Sequence, residues 1–409
     1  MNNKAKTTTP KPDGKPALTP KLRFPEFRDS AGWEIKPFAK LFSIGNGRDH
    51  KHLAPGDVPV YGSGGYMRSV DEYLYDGESV CIGRKGTINN PMFLTGKFWT
   101  VDTLFYTHSF NQCLPKFIFS IFQSIDWLKH NEAGGVPSLS KTNIEKIETA
   151  VPSLPEQQKI AECLSSMDEL MATQARKLNA LKTHKKGLMQ QLFPREGETQ
   201  PRLRFPEFRN TRAWVKENLT DIAKTSIGLV TTMTTSYANE GVPLIRNSDI
   251  QQNKVRKEKL IFLLESFADK YPSKKLKEGD IVTVHTGDIG VSAVIDSELS
   301  GCLGFATLNT RLLKHGVLPE YICWYFNSDT YICFALSMAT GDGRNNFNLS
   351  DFNRSVIPIP SQAEQQKIVD CLSFLDDLIT AQTQKLDALK THKKGLMQQL
   401  FPSPEEVEA

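Results

Sequence analysis

The sequence lacks any apolar run long enough to cross a membrane. Its most apolar stretch, residues 321–338, is broken by Asn327, Ser328 and Asp329, so it predicts a buried helix and no membrane partner. The first twenty residues are mainly Lys, Thr, Pro and Asn, without the apolar centre of a secretory leader, so none is expected. The seven cysteines are odd in number and form no CxxC pair. That excludes a disulfide or zinc framework and predicts reduced thiols in a cytoplasmic protein. Catalytic boxes are missing as well. No GxxxxGK[ST] loop occurs, since Gly96-Lys97 is followed by Phe98. There is no glycine-rich cofactor fingerprint, and Asn90-Pro91-Met92 falls short of the NPPY box of amino-methylases. His50 and His52 make only a lone HxH, a pattern usual on surfaces, so no metal is expected. Neither sign of charge dominates: 50 Lys and Arg face 46 Asp and Glu, a net +4 that permits a nucleic-acid partner without demanding one.

What is present is a repeat. The chain has 409 residues, enough for two or more domains, with an ordinary globular composition of 39% hydrophobic and 23% charged residues. LRFPEFR at 22–28 returns at 203–209, and Trp33 returns as Trp214. Further on, Val58-Pro59 matches Val242-Pro243, Gly77 matches Gly279, and LPKFIFSIFQS (114–124) matches LPEYICWYFNS (318–328). EQQKI at 156–160 returns at 364–368, and residues 180–194 and 388–402 are identical over ALKTHKKGLMQQLFP. The displacement grows from 181 to 208 residues, so the second variable region is 27 residues longer, mostly around 251–275. Collinear order throughout marks a tandem duplication. The halves diverge between the FPEFR and EQQKI boxes and agree after them, a sign of unequal constraint.

The similar part reads as a long helix. Ile160, Leu164, Met167, Met171, Gln174, Leu178, Leu181, Lys185, Leu188 and Leu192 keep an unbroken 4-3-4-3 spacing, and the second copy repeats it from Ile368 to Leu400, including the polar positions Gln382 and Lys393. That is the seam of a coiled coil. Pro155 suits a first turn, while Pro194 and Pro402 end the helices. Each helix is acidic in its first half and basic in its second, so antiparallel pairing sets opposite charges side by side. The expected fold is α+β: two α/β domains at opposite ends of a long antiparallel two-helix coiled coil, with a pseudo-two-fold internal repeat. The expected boundaries are a disordered basic tail at 1–20, domains at 21–152 and 202–360, and helices at 153–201 and 361–409.

The repeated LRFPEFR…W boxes and paired EQQKI helices, with VPVYGSGG (58–65), GRKGTINNP (83–91), VPLIRNSDI (242–250) and GDIVTVHTGDIG (279–290), resemble the specificity subunits of type I restriction–modification enzymes. The resemblance covers nearly the whole chain after residue 20. It implies two target-recognition domains that each read one half of a split site in double-stranded DNA. It also implies a spacer that docks two methyltransferase subunits, which motor–nuclease subunits then join. The chain itself would be non-catalytic and without cofactor, with S-adenosylmethionine, ATP and Mg2+ belonging to the partner subunits.

Residue chemistry is consistent with this. Reading bases takes Arg, Lys, Asn or Gln in reach of base edges, and glycines let a backbone approach closely. In the first domain Arg84-Lys85 lie between Gly83 and Gly86, with Arg48, Tyr61, Ser63 and Arg68 in neighbouring Gly-rich loops. In the second, Arg246-Asn247 take the place of Gly62-Ser63, and His285-Thr286 that of Arg84-Lys85, while Arg344, Asn345 and Asn346 occupy a turn. Different residues at matched positions are what two different half-sites require. The duplicated surface, Lys182, His184, Lys186, Gly187 and Gln190 with Lys390, His392, Lys394, Gly395 and Gln398, is the candidate for binding one partner twice. Gly187 and Gly395 cost ~1 kcal/mol each inside a helix, yet both copies keep them. A coiled-coil adaptor presenting two protein-binding heads would explain the helices but not the divergent basic loops. A fused enzyme would require the missing catalytic boxes.

Overall fold

The computed structural model describes residues 18–339 and 346–402. Residues 1–17 of the expected tail, and Arg344 and Asn345, lie outside the described residues. The chain divides into two compact units, residues 1–175 with 384–409, and residues 176–383. Each unit therefore holds one variable head, half of the central helix and half of the C-terminal helix.

The heads share the topology of one sheet despite their divergence, and differ in the outer strand of the other. The first carries an antiparallel sheet in the order Ser43–Asn46, Leu104–His108, Ser79–Gly83, Met92–Leu94, and the second repeats that order with Ala223–Ile227, Leu308–Leu312, Ile281–Thr283 and Ser292–Val294. A further four-stranded sheet in each head contains one parallel pairing, Val60 beside Trp99 and Leu244 beside Leu303. In the first head Val58–Gly62 turns directly into Gly65–Val70 through Ser63-Gly64. In the second, residues 247–260 intervene between the matched strands and form a small hairpin, Ile250 opposite Val255 and Gln251 opposite Lys254. Part of the extra length of the second repeat, 14 residues in place of two, is spent here.

Residues 321–338 do not form the single buried helix that their composition suggests. Two helices replace it, Pro319–Phe326 and Asp329–Met338. Ser328 restarts the chain by accepting the Tyr331 N–H on its hydroxyl, and the Asn327 amide bonds to Ser292 and Cys323. A side chain that satisfies backbone groups at a cap competes with helix continuation.

The long helices span Leu154–Leu192 and Gln362–Leu400, 39 residues each. Within the first unit Ile160 and Leu164 share a core with Leu396 and Leu400, and Asp168 pairs with Lys393 at 2.5 Å. Within the second unit Leu188 and Leu192 pack with Ile368 and Leu372, and Lys185 pairs with Asp376. In both units the helix segments thus run antiparallel, and the two seam lysines meet carboxylates. Each lysine also touches its head: Lys393 donates to Gln123 at 3.1 Å, and Lys185 stands 4.7 Å above the Trp324 ring.

The repeated boxes meet each other in space. Glu156 is buried and accepts from both Arg23 Nε and Nη2, and the Trp33 indole N–H adds a bond at 3.2 Å. Gln157, fully buried, accepts the Leu114 N–H and donates to the Gln112 and Pro152 carbonyls. Lys159 pairs with Glu26, and Ile160 enters the core. The second unit repeats every contact but the indole bond: Arg204 to Glu364, Gln365 to Leu318, Gly316 and Pro360, and Lys367 to Glu207. The LRFPEFR box also reaches the other helix, because the Leu22 N–H bonds the Gln399 carbonyl and the Leu203 N–H bonds that of Gln191. It fastens the start of one helix to the end of the other.

Candidate nucleic-acid interface

In the first head, the strand Ser79–Gly83 is wholly buried and delivers Arg84-Lys85 to the surface. Gly83 is obligatory there, since a Cβ would lie 2.0 Å from the Thr87 carbonyl oxygen. The loop backbone is pinned on both sides. The Arg84 and Lys85 N–H groups donate to the Thr103 carbonyl, Gly86 N–H to that of Pro137, and the Arg84 carbonyl accepts from Leu139. The side chains are not pinned: among the described residues neither Arg84 nor Lys85 has a side-chain hydrogen bond or ion pair, and the Arg84 guanidinium stands 6.0 Å from the Phe105 ring. A rigid loop with free cations is suited to a polyanion. Ser63 belongs to the same place, its hydroxyl oxygen 3.2 Å from where a Cβ on Gly86 would sit.

Arg48 follows the end of the strand Ser43–Asn46 and is exposed, with its N–H on the Thr100 carbonyl and its own carbonyl on the Trp99 indole. Burial pushes the Tyr106 hydroxyl above its ordinary pKa, and the nearby Arg48 charge opposes that shift. Tyr61 and Arg68 are half-buried on the paired strands, with the Tyr61 ring 6.1 Å from Tyr66. Arg68, like Arg48, has no side-chain partner among the described residues.

The second head is built differently at the matched positions. Arg246 is committed to its own loop: Nε and Nη2 donate to the buried Asp249 at 2.8 and 2.9 Å, and Nη2 also to the Lys259 carbonyl. The Asp249 carboxylate raises the Arg246 pKa above its ordinary value. Asn247 bridges two loops, accepting the His285 N–H at 3.0 Å and donating to the Ala306 carbonyl at 3.3 Å. His285 Nδ1 meets the Thr286 hydroxyl at 2.7 Å, and that hydroxyl donates to Asn346 at 2.7 Å. Burial lowers the His285 pKa. Thr286 and Asn346 form the same kind of isolated antiparallel bridge as Lys85 and Ser138. The two loops are therefore equivalent in position and opposite in character, free cations in one head and a neutral, interlocked polar network in the other.

A family model for the "Type I restriction modification DNA specificity domain" matches residues 31–183 and again 211–391. The chain belongs to the type I restriction–modification specificity subunits. A curated relative, the MjaVIII specificity subunit of Methanocaldococcus jannaschii, is 24% identical over 340 residues, covering 80% of this chain and 77% of the relative. The EcoBI specificity subunit of Escherichia coli is 22% identical over 130 residues, 32% of this chain and 27% of the relative. Among solved structures, a type I S subunit from M. genitalium aligns with a TM-score of 0.61 at 15% identity, over 94% of this chain and 100% of that one. This specificity subunit is thus the non-catalytic, DNA-recognising member of its system. Among the described residues, no His, Cys, Asp or Glu side chains group to hold a metal ion, and no helix is long and apolar enough to cross a membrane.

Some residues of the specificity subunit that gather at the Arg84-Lys85 loop carry no sequence signal. Asn46 and Lys141 line one open cleft with Arg84 and Lys85, although they lie far apart in the chain. Glu132 lines it too, but Ser140 and Asn143 already donate to its carboxylate and hold its pKa below the usual range. On the helices, Lys182, His184, Lys186 and Gln190 are exposed in the second unit, and Lys390, His392, Lys394 and Gln398 in the first. Gly187 and Gly395 are half-buried, with nothing within 4 Å of an added Cβ. The copies differ in one contact, for Gln190 donates to Asp329 at 2.7 Å, and in another, for Lys390 pairs with Asp387 at 3.2 Å.

Proposed function

We propose that residues 21–152 and 202–360 each read a different half of a split DNA site, and that the duplicated segments 180–194 and 388–402 each dock one methyltransferase subunit. The carrying observation is the contrast between the two kinds of surface. The same side chains are exposed on both helix copies, whereas the loop chemistry at matched positions in the heads is opposite. Equal docking surfaces suit two copies of one partner, and unequal reading loops suit two sequences. Motor–nuclease subunits join through the methyltransferases. S-adenosylmethionine, ATP and Mg2+ serve those subunits, and the assembly works in the cytoplasm. The test is native mass spectrometry of the co-expressed complex, combined with a methylation map of DNA from the same cells. Two methyltransferase subunits per chain and a bipartite methylated sequence are expected. A stable one-to-one complex at saturating partner would overturn the docking assignment, and a continuous undivided site the reading assignment.

A further inference from the structure

The first head presents an apolar feature that its cations do not explain. Tyr66 is 63% exposed and Met67 53%, although they are adjacent on one strand. Regular alternation would turn one of them inward. A register shift makes the difference: Val60 pairs with Arg68 but Tyr61 with Tyr66, so Met67 is an extra residue bulged from the ladder. Bulges re-aim side chains in this way and recur next to functional sites. Gly62 makes room for it, since a Cβ there would lie 2.8 Å from the Met67 sulfur. The pair is also braced, with the Tyr61 ring edge-on to Tyr66 and the Tyr66 hydroxyl 3.1 Å from Ser69 Oγ.

The position of this tip is specific. Ser63, in the turn of the same hairpin, touches the loop that carries Arg84 and Lys85. Arg68 follows Met67 directly, and neither it nor Arg84 nor Lys85 has a side-chain hydrogen bond or ion pair among the described residues. Arg68 beside the apolar pair, and the Arg84-Lys85 loop beside the turn of its hairpin, therefore offer cations without carboxylate partners, which suit phosphates and not the apolar patch of a protein. At the matched turn the second head has no counterpart among the described residues, because residues 247–260 replace the tight turn.

We infer that Tyr66 and Met67 form a wedge that enters the base stack of duplex DNA at the half-site read by the first head. Apolar side chains inserted at a base step unstack it and bend the duplex. Arg68 and the Arg84-Lys85 loop hold the flanking phosphates and bases while the wedge opens the step. This inference rests on the reading of that head as a DNA-reading domain.

The test uses the complete complex of specificity and methyltransferase subunits, and duplexes carrying the site from the methylation map with 2-aminopurine at successive steps of the first half-site. Wild-type complex should raise the 2-aminopurine fluorescence at one step. The double variant Tyr66→Ala/Met67→Ala should abolish that rise and bind about tenfold more weakly, the scale of a single base–aromatic stack. It should recover to within about threefold of wild type on a duplex with a mismatch at the same step, where unstacking is already done. Tyr66→Phe should behave as wild type. Unchanged fluorescence and affinity in the double variant would overturn the wedge, as would weakened binding that the mismatch does not restore. Failure of the variant to assemble with methyltransferase subunits would overturn it too, by marking the hairpin as a protein-docking surface. Absence of site-specific binding by the wild-type complex would instead refute the underlying reading of the head.

Discussion

Arg23 donates through Nε and Nη2 to the two carboxylate oxygens of Glu156, 2.8 and 2.7 Å away and 133 residues along the chain. Arg204 grips Glu364 in the same two-pronged manner, at 2.7 and 2.8 Å. Bidentate geometry of this kind is both strong and directional. Planar recognition needs Arg, and Lys is no substitute. The pair explains why sequence boxes so far apart are retained together: each is one half of a joint between a head and its helices.

Removing one partner leaves the other buried and uncompensated. Arg23→Ala should therefore destabilise the first unit by ~3–5 kcal/mol, seen as a lower urea midpoint by circular dichroism. Arg204→Ala should do the same to the second unit. Replacing Arg23 and Glu156 together by Met and Leu should cost clearly less than Arg23→Ala alone, because no charge is then stranded.

The reading loops should act on separate half-sites. Arg84→Ala with Lys85→Ala should weaken discrimination in one half of the site by ~1–3 kcal/mol for each bidentate pairing with a base that the substitutions remove. His285→Ala with Thr286→Ala should affect the other half alone. Competition binding against sites mutated in each half measures both. Weakening that is uniform over all sequences would mark the residues as phosphate contacts.

His285 gives a pH signature. Its ordinary value is 6.5, and burial lowers it. Above pH 6.5 the folded and unfolded chains both hold it neutral. As pH falls below that, the unfolded chain binds its proton first, so stability is progressively lost until the imidazole charges in the folded protein. A histidine NMR titration should place the His285 midpoint below 6.5, and His285→Gln should remove that part of the stability loss at low pH.

Much of this was legible in the sequence because it repeats. The 4-3-4-3 spacing marks helices that do span Leu154–Leu192 and Gln362–Leu400, and the acidic-to-basic polarity foretells Asp168 with Lys393 and Asp376 with Lys185. EQQKI was visible as a box, but its meaning was not. Only the fold shows that Glu156 and Gln157 are buried acceptors while Gln158 faces solvent. The candidate loops were legible as matched positions in the two heads, and less so as chemistry. Arg246 looks in sequence like a free base-reader, yet Asp249, three residues on, takes two of its guanidinium nitrogens. Asn46 and Lys141 join Arg84 only through tertiary packing, and Met67 points outward only because of a register shift that no local pattern reports.

Gly187 and Gly395 offer the sharpest separation of docking from stability. Each sits inside a long helix, where Gly is less favourable than Ala by ~1 kcal/mol. Nothing lies within 4 Å of an added Cβ at either position, so the chain's own packing gives no reason to exclude alanine. Gly187→Ala and Gly395→Ala should each stabilise the isolated chain by ~0.5–1 kcal/mol, read from the urea midpoint. If a methyltransferase subunit approaches the helix backbone closely at these points, the methyl group that stabilises the helix should obstruct the partner. Native mass spectrometry should then show one bound methyltransferase with either single variant and none with both. Two partners retained by the double variant, with the stability gain intact, would place the docking contacts on Lys182, Lys186 and their repeats, and leave both glycines without a role in assembly.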